Sequence, residues 1–146
     1  MALEIEHKYL VNDSSYKIMA SEKMNISQGY LDKTPEHTIR VRIMNNKGFL
    51  TIKGKNKGAT RMEFEYEIPL EDAKAMMELC QKGIIEKIRY CVPFEGYIWE
   101  IDEFKGSREG LVIAEIELPA ADTVYGLPPF VGKNVTGDPK YYNSNL

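Results

Sequence analysis

Charged side chains recur in this chain as same-sign pairs two residues apart: Glu4/Glu6, Arg40/Arg42, Glu63/Glu65, Lys87/Arg89 and Glu115/Glu117. On an extended strand, positions i and i+2 project from one face, so each pair concentrates like charge. A face open to water gains nothing from that repulsion. Clustered glutamate oxygens are the donors that Mg²⁺ or Mn²⁺ accepts. Arginine gives forked contacts to phosphate oxygens and lysine a point charge. Basic pairs on some strands and acidic pairs on others therefore suit a compact polyanion that binds arginines directly and reaches carboxylates through metal. A chain of phosphates fits; a single carboxylate would not need so many cations.

The segments that carry these pairs alternate with a period of two. From Leu3 to Val11, Leu3, Ile5, Tyr9 and Val11 face one way and Glu4, Glu6 and Lys8 the other. The pattern returns in residues 39–43, 62–68, 87–90, 99–102 and 113–118, and further strands are predicted near 26–31 and 49–53, roughly eight in all. Asn45-Asn46-Lys47-Gly48 reads as a tight hairpin, residues 54–58 as the next turn, and Phe94-Glu95-Gly96 and residues 105–110 as later ones. Strands joined by such short loops run antiparallel. Helices are few. Asp13 or Ser14 caps one predicted to run to about Met24. A second is expected over residues 69–80, with Gly83 placed to end it. Asp138-Pro139 opens a last short turn.

An alternating strand usually has one wet face. Three features argue for something else here: the like-charge pairs, the preference for Glu and Arg over Thr, Ser and Gln, and the large apolar groups on the opposite faces. An inside-out barrel satisfies all three. The expected fold is α+β, an eight-stranded antiparallel closed barrel, a tunnel with a charged lumen and a few helices packed outside. Eight strands leave an interior just wide enough for side chains or one small ligand. Carboxylates confined there without partners would cost several kcal/mol each. Basic pairs offset part of this, and the remaining acid calls for divalent cations.

The chain has 146 residues, 43% hydrophobic and 28% charged, enough for one domain spanning 1–146. A net charge of -3 gives nothing that would steer it to nucleic acid or an anionic membrane. No apolar run approaches a membrane span and the start does not read as a signal peptide, so the cytoplasm is expected. Cys80 and Cys91 read as reduced core thiols. An apolar exterior with few helices to cover it leaves room for a homodimer.

Glu4-Ile5-Glu6-His7-Lys8 is the E-x-E-x-K signature of the CYTH superfamily, the triphosphate tunnel metalloenzymes. The likeness continues through Gln28-Gly29-Tyr30-Leu31, Arg40-Val41-Arg42, Thr51-Ile52-Lys53, residues 61–65, Lys87-Ile88-Arg89, residues 99–102, Glu115-Ile116-Glu117 and the tail from Val131 to Asn143. The chain resembles the small bacterial members over essentially its whole length. The resemblance implies Mg²⁺- or Mn²⁺-dependent action on a small-molecule triphosphate. By position, Lys8, Arg40, Arg42, Lys53, Lys87 and Arg89 would hold phosphate oxygens, with Lys133 at the tunnel mouth. Glu4, Glu6, Glu63, Glu65, Glu115 and Glu117 would bind metal directly or through water, helped by Asp102. Lys8, Glu4 and Glu6 are the catalytic candidates, with phosphate binding the preferred role for Lys8 over general base.

His7, where relatives often carry Arg, falls outside the lumen by parity. Glu67 and Glu100 read as supporting charges, Lys55 and Lys57 as solvated loop charges, Trp99 as core and His37 as surface. Hydrolysis of a terminal phosphoanhydride is the expected reaction. Two rivals stay open: a class IV adenylate cyclase that expels pyrophosphate from ATP, and a polyphosphate-binding module without turnover. No aromatic or amide cluster suggests a nucleobase pocket.

Overall fold

The computed structural model describes residues 3–146. In chain order its elements are β1 (Leu3–Val11), α1 (Tyr16–Met19), β2 (Glu22–Lys33), β3 (His37–Met44), β4 (Lys47–Gly54), β5 (Thr60–Ile68), α2 (Leu70–Met77), β6 (Gln81–Phe94), β7 (Tyr97–Phe104), β8 (Val112–Glu117) and β9 (Val131–Asn134). Single 3-10 turns occupy Gly106–Arg108, Pro139–Tyr141 and Asn143–Asn145.

The strands run in the order β5-β4-β3-β2-β6-β7-β8-β1, and β1 closes the ring by pairing with β5 through Leu3↔Met62 and Glu4↔Arg61. Every ladder is antiparallel, so eight strands form a closed barrel without a free edge. The ninth strand takes up the edge of β1 that β5 leaves, meeting Tyr9 and Val11. It is four residues long and carries no alternation that would have announced it.

Turn chemistry explains the hairpins. Asn45 (φ 53) and Asn46 (φ 60) form a two-residue turn between paired Met44 and Lys47. Consecutive left-handed residues match the twist of the flanking strands, and asparagine tolerates that region. Glu95 (φ 48) and Gly96 (φ 85) do the same between Phe94 and Tyr97.

Both helices are shorter than the sequence suggests. The first is one turn, because Glu22 already pairs with Cys91 and ladder bonds replace helical ones from there. The second stops at Met77, three residues before the expected end. Gly83 (φ 81) does not terminate it but lies within β6. Asp138 does cap the turn after it, its carboxylate accepting from the Lys140 N–H.

The larger of two hydrophobic clusters lies outside the barrel wall. Tyr9, Tyr90, Val92, Trp99, Ile101, Ala114 and Ile116 pack against Tyr16 of α1 and Phe130. The 118–131 strap covers them, and Tyr125 accepts or donates at 2.5 Å to both His7 Nδ1 and Tyr9 Oη. On another side α2 lies over β3 and β4; a Cβ on Gly48 would stand 2.6 Å from that of Ala73. Leu3, Ile52, Met62 and Tyr66 stay exposed on the outside of β1, β4 and β5. Among the described residues no helix is long and apolar enough to cross a membrane.

Candidate functional site

Period-two alternation and antiparallel register decide what enters the barrel, because directly opposed residues share a face. Glu4, Glu6 and Lys8 point inward from β1. Arg40 and Arg42 enter from β3, Thr51 and Lys53 from β4, Glu63 and Glu65 from β5. Lys87 and Arg89 enter from β6, Glu100 and Asp102 from β7, Glu115 and Glu117 from β8. These residues meet in and around one bore of about 270 Å³. Its lining holds seven glutamates (Glu4, Glu6, Glu63, Glu65, Glu100, Glu115, Glu117) against four cations (Arg40, Arg42, Lys53, Arg89). Met44 and Asn143 are the remaining lining residues, and none is aromatic.

Register also sets which charges oppose each other. Lys8 faces Glu115, its Nζ 3.1 Å from the carboxylate. Lys53 stands 3.2 Å from Glu4 and 3.3 Å from Glu63. Arg42 reaches Glu65 at 3.1 Å, and the Thr51 hydroxyl donates to the same oxygen at 2.9 Å. Two register pairs are like-charged: Glu6↔Glu117 and Glu100↔Glu115. Like charges directly opposed are destabilising unless a cation lies between them.

Titration behaviour follows from this crowding. Burial, with the charges of Glu115 and Glu4, pushes the Glu6 carboxyl up to about 8. Glu63 and Glu117 are also raised, by burial first and then by the charge on Glu4. Glu4 goes the other way, to about 2: burial opposes this but is outweighed by Lys53, a hydrogen bond with Glu63 and Arg61. Arg42 falls to about 10 through burial and the guanidinium groups of Arg40 and Arg89. For Lys8, burial favours the neutral amine, yet Glu115 and Glu6 hold its pKa above the usual lysine range. Lys8 is therefore a cation near neutral pH, able to hold an anion and poorly suited to accept a proton.

Three predicted contributors sit differently from the expectation. Asp102 is buried and already engaged, accepting from Arg89 at 2.8 and 3.0 Å and lying 2.7 Å from Lys87 Nζ. Held by these cations and absent from the bore lining, it serves as their counter-ion. Lys87 is sequestered on Asp102 beneath the bore lining, and burial outweighs that partner, dropping its pKa to about 8. Lys133 is exposed on β9 and does not line the bore, because β9 lies outside the closed ring.

Sequence reasoning passed over Arg61, Gln28 and Tyr30. Arg61 sits two residues before Glu63 with the same parity and ion-pairs with Glu4 at 3.4 Å. Gln28 opposes Arg42 and is fully buried, with neither amide atom hydrogen-bonded. Tyr30 opposes Arg40 and packs with Ile85, Phe104 and Ile113, an apolar stopper at the back of the bore. A polar residue at the inward parity of a strand was the available signal for both.

Among the described residues no three acidic, histidine or cysteine side chains converge as a ready metal cage. The donor set nonetheless fits a hard divalent cation: it is all oxygen, exceeds its cations in number, and contains two opposed glutamate pairs. Glu4, Glu6, Glu63, Glu65, Glu115 and Glu117 are the residues that would hold it.

A CYTH-domain family model matches residues 2–142. A protein of Acetivibrio thermocellus named inorganic triphosphatase is 50% identical, covering 100% of this chain and 94% of its own. One of Nitrosomonas europaea with the same name is 30% identical over 98% and 95% of the two chains. A solved inorganic triphosphatase superposes with a TM-score of 0.69 at 28% identity, over 99% of this chain and 94% of that one. At 18% identity a Hippeastrum protein shares the fold, with a TM-score of 0.64 over 80% of each chain. Family membership implies a divalent metal ion. With the family model spanning nearly the whole barrel and two full-length relatives beside it, this chain belongs to the CYTH family.

Proposed function

We propose that this chain is a divalent-metal-dependent triphosphatase that hydrolyses a phosphoanhydride bond of a triphosphate held in the bore, with inorganic tripolyphosphate the first substrate to test. We read residues 1–146 as one tunnel domain acting on a small molecule in the cytoplasm. The observation that carries the reading is the meeting of seven glutamates and four cations in a single cavity of about 270 Å³.

In this reading Lys8, Arg40, Arg42, Lys53 and Arg89 hold non-bridging phosphate oxygens and neutralise their charge. Lys87, pinned to Asp102, supports them from beneath. Arg42, whose cationic form is disfavoured by burial and two neighbouring guanidinium groups, is relieved by an incoming anion. Glu4, Glu6, Glu63, Glu65, Glu115 and Glu117 take Mg²⁺ or Mn²⁺. When bound, the metal neutralises phosphate charge and lowers the pKa of a coordinated water. The protein's share is positioning and electrostatic stabilisation of a chain fixed between two charged walls. A bore without an aromatic ring offers a nucleobase no stacking surface, which supports hydrolysis over cyclisation.

A phosphate-release panel tests this. Tripolyphosphate, thiamine triphosphate and ATP are assayed with Mg²⁺, Mn²⁺ or chelator. Orthophosphate release that depends on metal and is unaccompanied by cyclic AMP is expected. Pyrophosphate with cyclic AMP from ATP would make the protein a cyclase, and binding without turnover on any substrate would make it a storage or sensing module.

A further inference from the structure

Behind the bore lies a second cavity whose charge is reversed. It has a volume of about 410 Å³ and is walled by the ends of two hairpins and the C-terminal 3-10 turns. Lys33, Lys55 and Arg61 line it, together with Thr38, Tyr142 and Ser144. No carboxylate is among the lining residues, in a chain with 22 acidic residues to 19 basic ones. A cavity that collects three cations and hydroxyl donors but no acid is complementary to an oxyanion.

The two cavities share a wall. A neck of only about 20 Å³, lined by Glu4, Glu6, Lys8 and Arg61, lies between them. Glu4 and Glu6 belong to the bore as well, and Arg61 and Tyr142 to the rear cavity. The neck is too small for a phosphate group to rest in, so the rear cavity is a separate compartment and not the far end of one channel. Arg61 spans the boundary: it faces the rear cavity and ion-pairs with Glu4 at 3.4 Å.

We infer that the rear cavity is a second phosphate-binding site, built on Lys33, Lys55 and Arg61, that takes a small inorganic phosphate such as the orthophosphate or pyrophosphate released by hydrolysis. The identity of that ligand as a product rests on the triphosphatase reading; the anion site itself does not. An anion there competes with Glu4 for Arg61, so its occupancy is felt in the bore without displacing substrate.

The test uses K33Q/K55Q, which alters two residues outside the bore. Without added product, its kcat and KM for tripolyphosphate should stay within about twofold of the parent. Orthophosphate or pyrophosphate should lower kcat of the parent without raising KM, and the variant should weaken that inhibition by about tenfold. Calorimetric titration of metal-free protein with pyrophosphate needs no turnover, so it decides the site even if no triphosphate is hydrolysed. There the variant should lose about tenfold in affinity. Strictly competitive product inhibition together with equal pyrophosphate binding by parent and variant would overturn the inference.

Discussion

Glu6 stands directly opposite Glu117 across the β1–β8 ladder, two carboxylates on one face of adjacent strands with no cation between them in the register. Such a pair is stable only if one partner is protonated or a cation bridges them. Glu6 shows the first alternative: burial and the charges on Glu115 and Glu4 raise its pKa from 4.5 to about 8. A carboxyl whose folded pKa is raised binds more protons folded than unfolded between those values. Its contribution to stability is full below pH 4.5 and is lost as the pH climbs through 8. Urea titrations of chelator-treated protein should therefore show stability falling over that window, and Glu6→Gln should flatten the decline. Parallel profiles for the two proteins would contradict the assignment.

Glu115 offers a sharper test of the bore's chemistry. It faces both Lys8 and Glu100 and lies 3.1 Å from Lys8 Nζ. Glutamine keeps its shape and can still accept from Lys8, but it removes the charge a divalent cation needs. Glu115→Gln is expected to lower kcat at saturating metal by about a hundredfold or more. Near-native thermal unfolding should accompany that loss. Retained turnover would remove Glu115 from the machinery.

The bore was legible from parity because paired charges at i and i+2 survive any uncertainty in where a strand begins. Its internal partnerships were not. Arg89 meets Asp102 because β6 and β7 pair in one register out of several, and nothing in the spacing of the two residues selects it. Asp102 therefore reads from sequence as one more carboxylate, while its surroundings make it a counter-ion. Arg61 lacked a basic neighbour two residues away, and Gln28 and Tyr30 carry no charge, so the signal that exposed the glutamates missed them. Strand β9 and the docking of the tail on β1 were hidden for a different reason. Their contacts reach β1 across more than a hundred residues, as in the Lys8 Nζ bond to the Tyr141 carbonyl, and local periodicity holds no trace of them.

That counter-ion role has its own consequence. Asp102 balances Arg89 and Lys87, both of them buried. Asp102→Asn leaves two buried cations around a neutral amide, and stranding charge in this way costs about 3–5 kcal/mol. Chemical denaturation should register that loss. Affinity for Mn²⁺, measured by calorimetry on protein that remains folded at low temperature, should change far less than in Glu6→Gln. A metal affinity lost in parallel with Glu6→Gln would return Asp102 to the ligand set.

The barrel wall also fixes where α2 can lie. Gly29 on β2 has no side chain because the end of that helix's exit turn presses against it: a Cβ there would stand 2.6 Å from Cys80 Sγ, 2.9 Å from Cys80 Cβ and 3.0 Å from Ile84. Gly29 precedes Tyr30 and follows Gln28, so any retreat of the strand from the helix moves both inward residues. Gly29→Ala should overpack this contact and destabilise the protein by about 1–3 kcal/mol. Because the thiol supplies the closest atom, Cys80→Ala in the same chain should restore part of that loss, a coupling that a double-mutant cycle reads directly. If the two substitutions add without coupling, the penalty at Gly29 arises from the strand's own backbone and not from the packing of α2.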